Sequence, residues 1–205
     1  IQKAGDIIPE KVRVLPEFRT GKEKKWKFPK TSPLCGGDGA IERVPGEAAH
    51  RCAVAGSYLV QERKLAHFVG KTALDIDGFG RKTVEELMKH ELLSEFDDVF
   101  DLTRDELLAL DGFKEKSAQN LIAAIENAKK VTLDRLLVGL SIDHVGEETA
   151  LLLAQEFGTL EKLANASEEE LAEVRGVGGI VARSVAAWFA DAGNRELMKR
   201  LGKHL

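Results

Sequence analysis

Apolar and polar residues along most of this chain recur at helical spacing around four short turns. The turns are centred on Ile76–Gly80, Leu110–Lys114, Ile142–Gly146 and Val174–Gly178, which begin 34, 32 and 32 residues apart. Four positions past the end of each turn stands a small residue or valine, namely Val84, Ala118, Ala150 and Ala182. Repeats of this length indicate one supersecondary unit used several times. The unit is predicted to be a helix, a short glycine-bearing hairpin and a second helix.

Helix boundaries follow from the apolar stripes and from capping signals. A helical pattern begins at Gln61, and His67 lies on its apolar stripe beside Phe68, where packing is favoured over metal ligation. Thr103 and Ser167 each precede a Glu by three positions, which is the capping-box pattern. Arg195–Leu205 is predicted to be a last amphipathic helix or a tether. The helices after the four turns are predicted at Lys82–His90, Glu115–Lys129, Ala150–Phe157 and Ile180–Phe189.

The first 30 residues have a different pattern. Lys11–Leu15 and Lys25–Phe28 alternate polar and apolar residues on either side of a turn at Gly21, which predicts a hairpin at the end of a β domain. A two-stranded hairpin is marginal alone, so further strands are expected upstream. The polar face, formed by Lys11, Arg13, Lys25 and Lys27, is either a basic stripe beside a nucleic acid or a solvated surface.

The segment 31–62 contains two cysteines. Each lies in its own short turn, Cys35 in the first and Cys52 in the second, with Ser32 and Ser57 where further ligands of a metal would stand. A structural zinc site needs four ligands. His50 could substitute for one, but two reduced cysteines in a loop-rich connector are favoured. The predicted domains are 1–30, 31–62, 63–190 and 191–205.

Composition supports a mainly α, soluble and globular chain, with 43% apolar and 31% charged residues. The chain has no apolar run long enough to span a membrane, and its first ten residues are not a secretory signal. Because it lacks an initial Met, it is expected to be a piece of a longer protein. With two cysteines, an intracellular location is the default. The net charge of −4 lowers the prior for a nucleic-acid partner, yet residues 1–30 carry nine Lys and Arg against four Asp and Glu.

The hairpins themselves predict phosphate binding. Glycine permits a sharp turn, and the helix that follows presents free N–H groups and the positive end of its dipole. Four copies in the same register favour helix-hairpin-helix motifs that hold DNA backbones over αα-hairpins whose glycines serve only packing. The third copy is predicted to be mainly structural, because His144 replaces its first glycine and Glu147 and Glu148 follow Gly146. The predicted DNA-binding residues of the hairpins are Gly78, Gly80, Arg81, Lys82, Gly112, Lys114, Lys116, Gly146, Gly176, Gly178 and Arg183. No catalytic constellation is evident.

Several stretches, in order, strongly resemble the C-terminal half of the bacterial NAD-dependent DNA ligases. They are Lys3–Pro9, the turns around Cys35 and Cys52, His67–Val69, Leu74–Gly78, Glu115–Ala118 and His144–Glu147. The resemblance implies the end of an OB fold, a zinc-finger-like connector and four helix-hairpin-helix motifs. It also implies a nicked DNA duplex as the partner, with Lys3, Gly5 and Asp6 near the nick.

In that family NAD adenylates a lysine, AMP passes to the 5′-phosphate and the 3′-hydroxyl attacks, with magnesium in support. The family's Lys-x-Asp-Gly nucleophile does not occur in this sequence, so the chain alone is predicted to be inactive, monomeric and, like its parent, cytoplasmic. The family's finger has four cysteines, whereas Ser32 and Ser57 replace two of them here, which predicts that no zinc is bound. The alternatives are a DNA-binding module of another repair protein and a helical-repeat scaffold for protein interaction.

Overall fold

The computed structural model describes residues 2–4, 8–10, 12–36, 38–43, 50–54 and 56–205. Four short strands occupy the first quarter of the chain: β1 (Gln2–Ala4), β2 (Ile8–Glu10), β3 (Ile41–Arg43) and β4 (His50–Cys52). From Tyr58 to Leu201 the chain consists of α-helices and their connections, so the prediction of a mainly α chain is confirmed.

The helices begin three residues earlier than the apolar pattern predicts, at Tyr58. Their bounds are α1 (Tyr58–Phe68), α2 (Arg81–Lys89), α3 (Asp98–Asp101), α4 (Arg104–Leu108), α5 (Glu115–Ala128), α6 (Leu133–Gly139), α7 (Glu147–Phe157), α8 (Leu160–Ala164), α9 (Glu168–Glu173), α10 (Gly179–Ala190) and α11 (Ala192–Leu201). Among the described residues, none of these helices is long and apolar enough to cross a membrane.

The predicted hairpin between residues 11–15 and 25–28 is wrong. The antiparallel pair lies earlier instead, with Lys3 of β1 opposite Pro9 of β2. Residues 12–15 and 22–29 form no strand, and Lys11 lies outside the described residues. Val12 and Trp26, which the alternation placed on a buried face, are 61% and 73% exposed. Alternation gives a strand only where another layer covers its apolar face, and nothing in the described residues covers this one.

The expectation of two reduced cysteines is also wrong. Cys35 and Cys52 form a disulfide, with their Cα atoms 5.2 Å apart. Cys35 ends a 3₁₀ turn, Pro33–Cys35, and Cys52 ends β4, which pairs antiparallel with β3. The number and spacing of the cysteines predicted two thiols, whereas only the fold shows that their sulfurs lie close enough to bond. His50, the candidate substitute ligand, instead stacks on Phe28, with the ring centroids 3.6 Å apart.

Four helix pairs flank the four hairpins: α1 with α2, α4 with α5, α6 with α7, and α9 with α10. Each pair places its apolar stripe in one continuous core. The two predicted capping boxes are confirmed: the backbone N–H groups of Thr103 and Ser167 donate to Glu106 and Glu170, each at 2.8 Å. These caps satisfy N–H groups that the first turns of α4 and α9 would otherwise leave unpaired.

Contacts distant in sequence join the helix pairs. His67 Nε2 donates to the carbonyl of Val138 at 3.0 Å, which holds α1 against α6 and confirms a packing role for this histidine. A Cβ on Gly139 would approach Phe68 to 3.0 Å, so glycine lets these two helices come close. Arg135 Nε and Nη2 donate to the carbonyls of Ala73 and Lys71 at 2.6 and 2.7 Å, which fixes the segment that leads into the first hairpin.

The last helix, α11, is part of the core rather than a tether. Leu197 and Leu201 are buried. Arg200 Nε lies 2.7 Å from Asp97 Oδ2, so the end of the chain is joined to the segment before α3. The hydrogen bond to Asp97 raises the pKa of Arg200 above its usual value, and the guanidinium therefore stays charged in this pair.

Candidate nucleic-acid interface

The four hairpins share one backbone geometry. In each, the fourth residue of the turn donates its N–H to the carbonyl of the apolar first residue, at 3.1 Å in the first copy and 3.3, 3.1 and 2.9 Å in the others. The residue at the first glycine position has a positive φ throughout: 78° at Gly78, 92° at Gly112, 67° at His144 and 93° at Gly176. The third hairpin therefore keeps the turn although histidine replaces glycine, and histidine is one of the residues that tolerates this region best.

Buried anchors on both sides of the turn explain this uniformity. The apolar first residues of the turns are all buried, namely Ile76, Leu110, Ile142 and Val174. The residues four positions past the turns, Val84, Ala118, Ala150 and Ala182, are 0% exposed. The N–H of each of these four also donates to the carbonyl of the residue that caps its helix, at 2.9 to 3.1 Å. Packing on both sides of the turn therefore imposes the same backbone on four different sequences.

Glycine caps three of the helices, but nothing within the chain requires glycine at these three positions. Gly80, Gly146 and Gly178 have φ of −79°, −99° and −84°, which any residue adopts. A Cβ added to any of the three would meet no other atom within 4 Å. Close helix packing therefore cannot explain them. Their lack of side chains instead leaves the start of each helix open to the backbone of a partner.

Free backbone donors lie at these open helix starts. Within the described residues, the N–H groups of Gly80, Arg81 and Lys82 donate to no other group of the chain, and the same is true of Gly178 and Gly179. The second hairpin differs, because the N–H of Lys114 donates to Ser117 Oγ at 2.8 Å. Free N–H groups at a helix start form an anion site, strengthened by the helix dipole. The first and fourth hairpins thus offer more donors than the second.

The second residue of the following helix differs in charge from copy to copy. It is Lys82 in the first hairpin, Lys116 in the second, Glu148 in the third and Ile180 in the fourth, and all four are exposed. Within the described residues, neither lysine forms an ion pair, so both cations are available to a phosphate. The third hairpin presents carboxylates at the same place, which repel phosphate.

Two of the predicted DNA-binding arginines already have partners inside the chain. Arg81 Nε lies 2.6 Å from an Oε1 atom of Glu62, a buried residue, and 3.2 Å from Glu85 Oε1. The hydrogen bond that Arg81 donates to Glu62 raises the pKa of Arg81, so its guanidinium stays charged. Arg183 Nε lies 3.3 Å from Glu168 Oε1. Both arginines connect the two helices of their own hairpin unit.

The first and second hairpins face one groove of about 530 Å³. The turn glycines Gly78 and Gly112 both line it, together with Lys82 and Ser117. The groove also contains Glu86 and Asp111, so it is not uniformly basic. Two helix starts that face one groove could contact two phosphates of the same duplex.

The fourth hairpin contains one exposed cation that the glycine and helix patterns did not predict as a DNA contact. Arg175 occupies the position before the turn glycine, where the other copies have Asp77, Asp111 and Asp143. It is exposed, and it makes no ion pair with any described residue. The fourth hairpin therefore has a cation beside its open helix start. Of the predicted residues near the N-terminus, Lys3 lies in β1, whereas Gly5 and Asp6 lie outside the described residues.

The connector does not have the donor set of a zinc site. In the part of the chain that the structure describes, no three His, Cys, Asp or Glu side chains form a group able to hold a metal ion. The sulfurs of Cys35 and Cys52 are bonded to each other, and Ser32 Oγ accepts the N–H of Leu34 at 3.3 Å. Structural zinc requires thiolates or imidazoles at four positions. The residues present therefore do not fit the metal.

Comparison with known families agrees with this geometry. Residues 71–127 match the SAM-like helix-hairpin-helix tandem, and residues 135–198 match the helix-hairpin-helix motif. The two matches together contain all four hairpins, so the prediction of four helix-hairpin-helix motifs is confirmed.

More specific similarity is to DNA ligases. The chain is 44% identical over 201 residues to a DNA ligase of Oleidesulfovibrio alaskensis, covering 98% of this chain and 28% of that protein. It is 43% identical over 205 residues to a DNA ligase of Nitrosococcus oceani, covering 99% and 30%. For a DNA ligase of Gemmatimonas aurantiaca the identity is 42%, covering 98% and 29%. The chain thus spans less than a third of these curated relatives, and its predicted resemblance to the C-terminal portion of bacterial DNA ligases is confirmed.

Proposed function

We propose that this chain is the sequence-independent, duplex-DNA-binding portion of an NAD-dependent DNA ligase that seals nicks in replication and repair. The observation that carries the proposal is the pair of cap glycines Gly80 and Gly178, which precede the helices of the first and fourth hairpins. Neither the backbone conformation nor the packing of the chain requires glycine there, whereas close approach of a phosphate backbone does. Contacts of this kind position a duplex without reading its sequence.

The hairpins contribute unequally to this function. The first and fourth supply free N–H groups, to which Lys82 and Arg175 add a positive charge. The second contributes Lys114 and Lys116, while the third contributes mainly to the core. Lys3, Gly5 and Asp6 are proposed to lie near the nick, as the resemblance implies.

The parent protein would supply the chemistry. We propose that it uses NAD to adenylate a lysine outside this chain, and magnesium to support phosphoryl transfer. This chain has no Lys-x-Asp-Gly nucleophile and would not ligate alone. Its role would be to hold a nicked duplex, as a monomer, in the cytoplasm.

Salt dependence of binding tests the DNA-binding role. Neutralising Z phosphates gives log K against log salt a slope of about −0.9Z. Four to six contacts therefore predict a slope of roughly −4 to −5 for a labelled nicked duplex, with equal affinities for unrelated sequences. A flat slope or no binding would favour a protein-interaction scaffold, for which the acidic balance of residues 31–205 offers some support.

A second assay separates a ligase from another repair protein. The full-length protein should seal a nick in the presence of NAD and fail to do so without it. DNA binding by the chain combined with no NAD-dependent sealing by the full-length protein would favour a non-catalytic module.

A further inference from the structure

The connector, residues 31–57, has a cross-link where the resembled family has a metal. Ser32, Cys35, Cys52 and Ser57 stand at the four positions of the family's cysteines, and two of them are joined as a disulfide. The Cα atoms of Cys35 and Cys52 are 5.2 Å apart, within the ordinary range for this bond.

The two serines do not act as ligands. Ser32 Oγ accepts a hydrogen bond from the N–H of Leu34 and so caps the 3₁₀ turn that contains Cys35. Ser57 is buried, and its hydroxyl oxygen has no hydrogen-bond partner among the described residues. A zinc ion at this place would have two thiolates at most, and the disulfide leaves none.

Hydrogen bonds nevertheless hold the connector in a defined fold. The N–H of Ser32 donates to Gly39 O at 2.7 Å, and the N–H of Ile41 donates to Lys30 O at 2.8 Å. A Cβ on Gly36 would lie 3.7 Å from the Cβ of Ser57, so the first turn lies against the residue that precedes α1. The 3₁₀ turn also packs on α1 itself. The disulfide therefore joins the two turns at the point where a metal would join them.

We propose that the Cys35–Cys52 disulfide replaces zinc as the cross-link of the connector, and that thiol–disulfide exchange controls whether the two turns are joined. A small disulfide such as oxidised glutathione supplies the oxidant. The two protein thiols lose two protons and two electrons and form one S–S bond, while the S–S bond of glutathione is cleaved to two thiols. This proposal does not depend on DNA binding.

Intact-mass measurement tests the cross-link. The full chain is incubated with oxidised glutathione, unfolded in urea and alkylated with iodoacetamide, so that access to buried Cys35 has no influence. The expected result is no alkylation and no bound glutathione, followed by two alkylated cysteines when a reductant precedes alkylation. Two alkylated cysteines without reductant, or glutathione attached to either cysteine, would overturn the proposal.

A second experiment measures zinc binding and tests whether the disulfide replaces the metal. The reduced chain is mixed with one equivalent of zinc and desalted, and the retained metal is measured. Wild type should retain none, whereas the reduced double variant Ser32→Cys/Ser57→Cys should retain one equivalent, because it restores four thiolates around the same point. Stoichiometric zinc in wild type, or none in the double variant, would contradict the replacement.

The variant Cys35→Ser is the matched control. It leaves Cys52 without a partner, so oxidised glutathione should now form a mixed disulfide and add one glutathione to the mass. Circular dichroism of each variant keeps the result interpretable, because the helices lie outside the connector and should keep their signal. An unmodified Cys52 in this variant would show that the oxidant does not reach the site, and the exchange step would then be rejected.

Discussion

The first and third hairpins have the same backbone and opposite surfaces. Gly78 and His144 both have positive φ, at 78° and 67°, and both turns are closed by the same N–H to carbonyl bond at 3.1 Å. At the second residue of the following helix, Lys82 in the first hairpin corresponds to Glu148 in the third. The shape of a hairpin therefore does not report whether it binds phosphate.

This difference shows which residues serve the fold and which serve the partner. Residues that face the core keep the turn, because the backbone between two buried anchors has little freedom. Residues at the helix start face away from the core, so they can change without affecting the fold. Binding can thus be lost from one copy while its structure persists.

The largest expected effect comes from exchanging the core residues of the two copies. Val84→Ala should cost about 2 kcal/mol of unfolding free energy through the cavity that it leaves. Ala150→Val should cost about 1–3 kcal/mol through overpacking between α6 and α7. Urea unfolding of each variant measures both. A cost near zero for either would show that the buried anchors do not determine the turn.

Replacing the cap glycines should separate stability from binding. Gly80→Ser adds a favoured helix cap, so unfolding free energy should be unchanged or slightly higher. Its side chain and hydroxyl would obstruct the free N–H groups, and nicked-duplex affinity should fall about tenfold, or about 1.4 kcal/mol.

Gly146→Ser is the matched control in the third hairpin, where affinity should change less than twofold. Fluorescence anisotropy at fixed salt measures the change in both variants. Equal losses in the two would mean that the third hairpin binds phosphate as well as the first.

The turn residues themselves can be exchanged between the copies. His144→Gly relieves a left-handed conformation and should raise stability by about 1 kcal/mol, whereas Gly78→Ala should lower it by about the same amount. For a chain of this size each change corresponds to a shift in Tm of roughly 2–4 °C, measurable by calorimetry. An unchanged Tm for Gly78→Ala would show that the first turn adapts more readily than its shared geometry suggests.

Charge reversal at the helix start should have the smallest effect on stability and a specific effect on binding. Glu148→Lys should strengthen nicked-duplex binding and make the salt slope more negative by about 0.9, as one added phosphate contact requires. Lys82→Glu should weaken binding and change the slope in the opposite sense. If Glu148→Lys leaves the slope unaltered, the third hairpin does not face the duplex.

Much of the helical region was predictable from local pattern. The apolar spacing located α2, α5, α7 and α10 to within a few residues, and the two capping boxes marked the starts of α4 and α9. Local pattern sufficed because helices are stabilised by contacts between near neighbours and by one apolar stripe.

Around the hairpins, the list of candidate residues was less predictable. The pattern located the glycines, but it could not show that Arg81 pairs with Glu62, since the partner lies on another helix. Arg175 was also missed, although alignment of the four turn sequences places this cation where the other copies have Asp. Ion-pair partners depend on tertiary proximity, which neither charge counts nor spacing contain.

The sequence by itself determined the repeat, the register of the four hairpins and the mainly helical class. Each of these depends on a periodicity that recurs in all four copies. Only the tertiary structure decided that Val12 and Trp26 form no strand, that the two cysteines are bonded and that three cap glycines border open space. Strand pairing, cross-linking and empty space all depend on what lies opposite a residue. A linear pattern specifies the residue and its neighbours along the chain, whereas the fold decides what faces it.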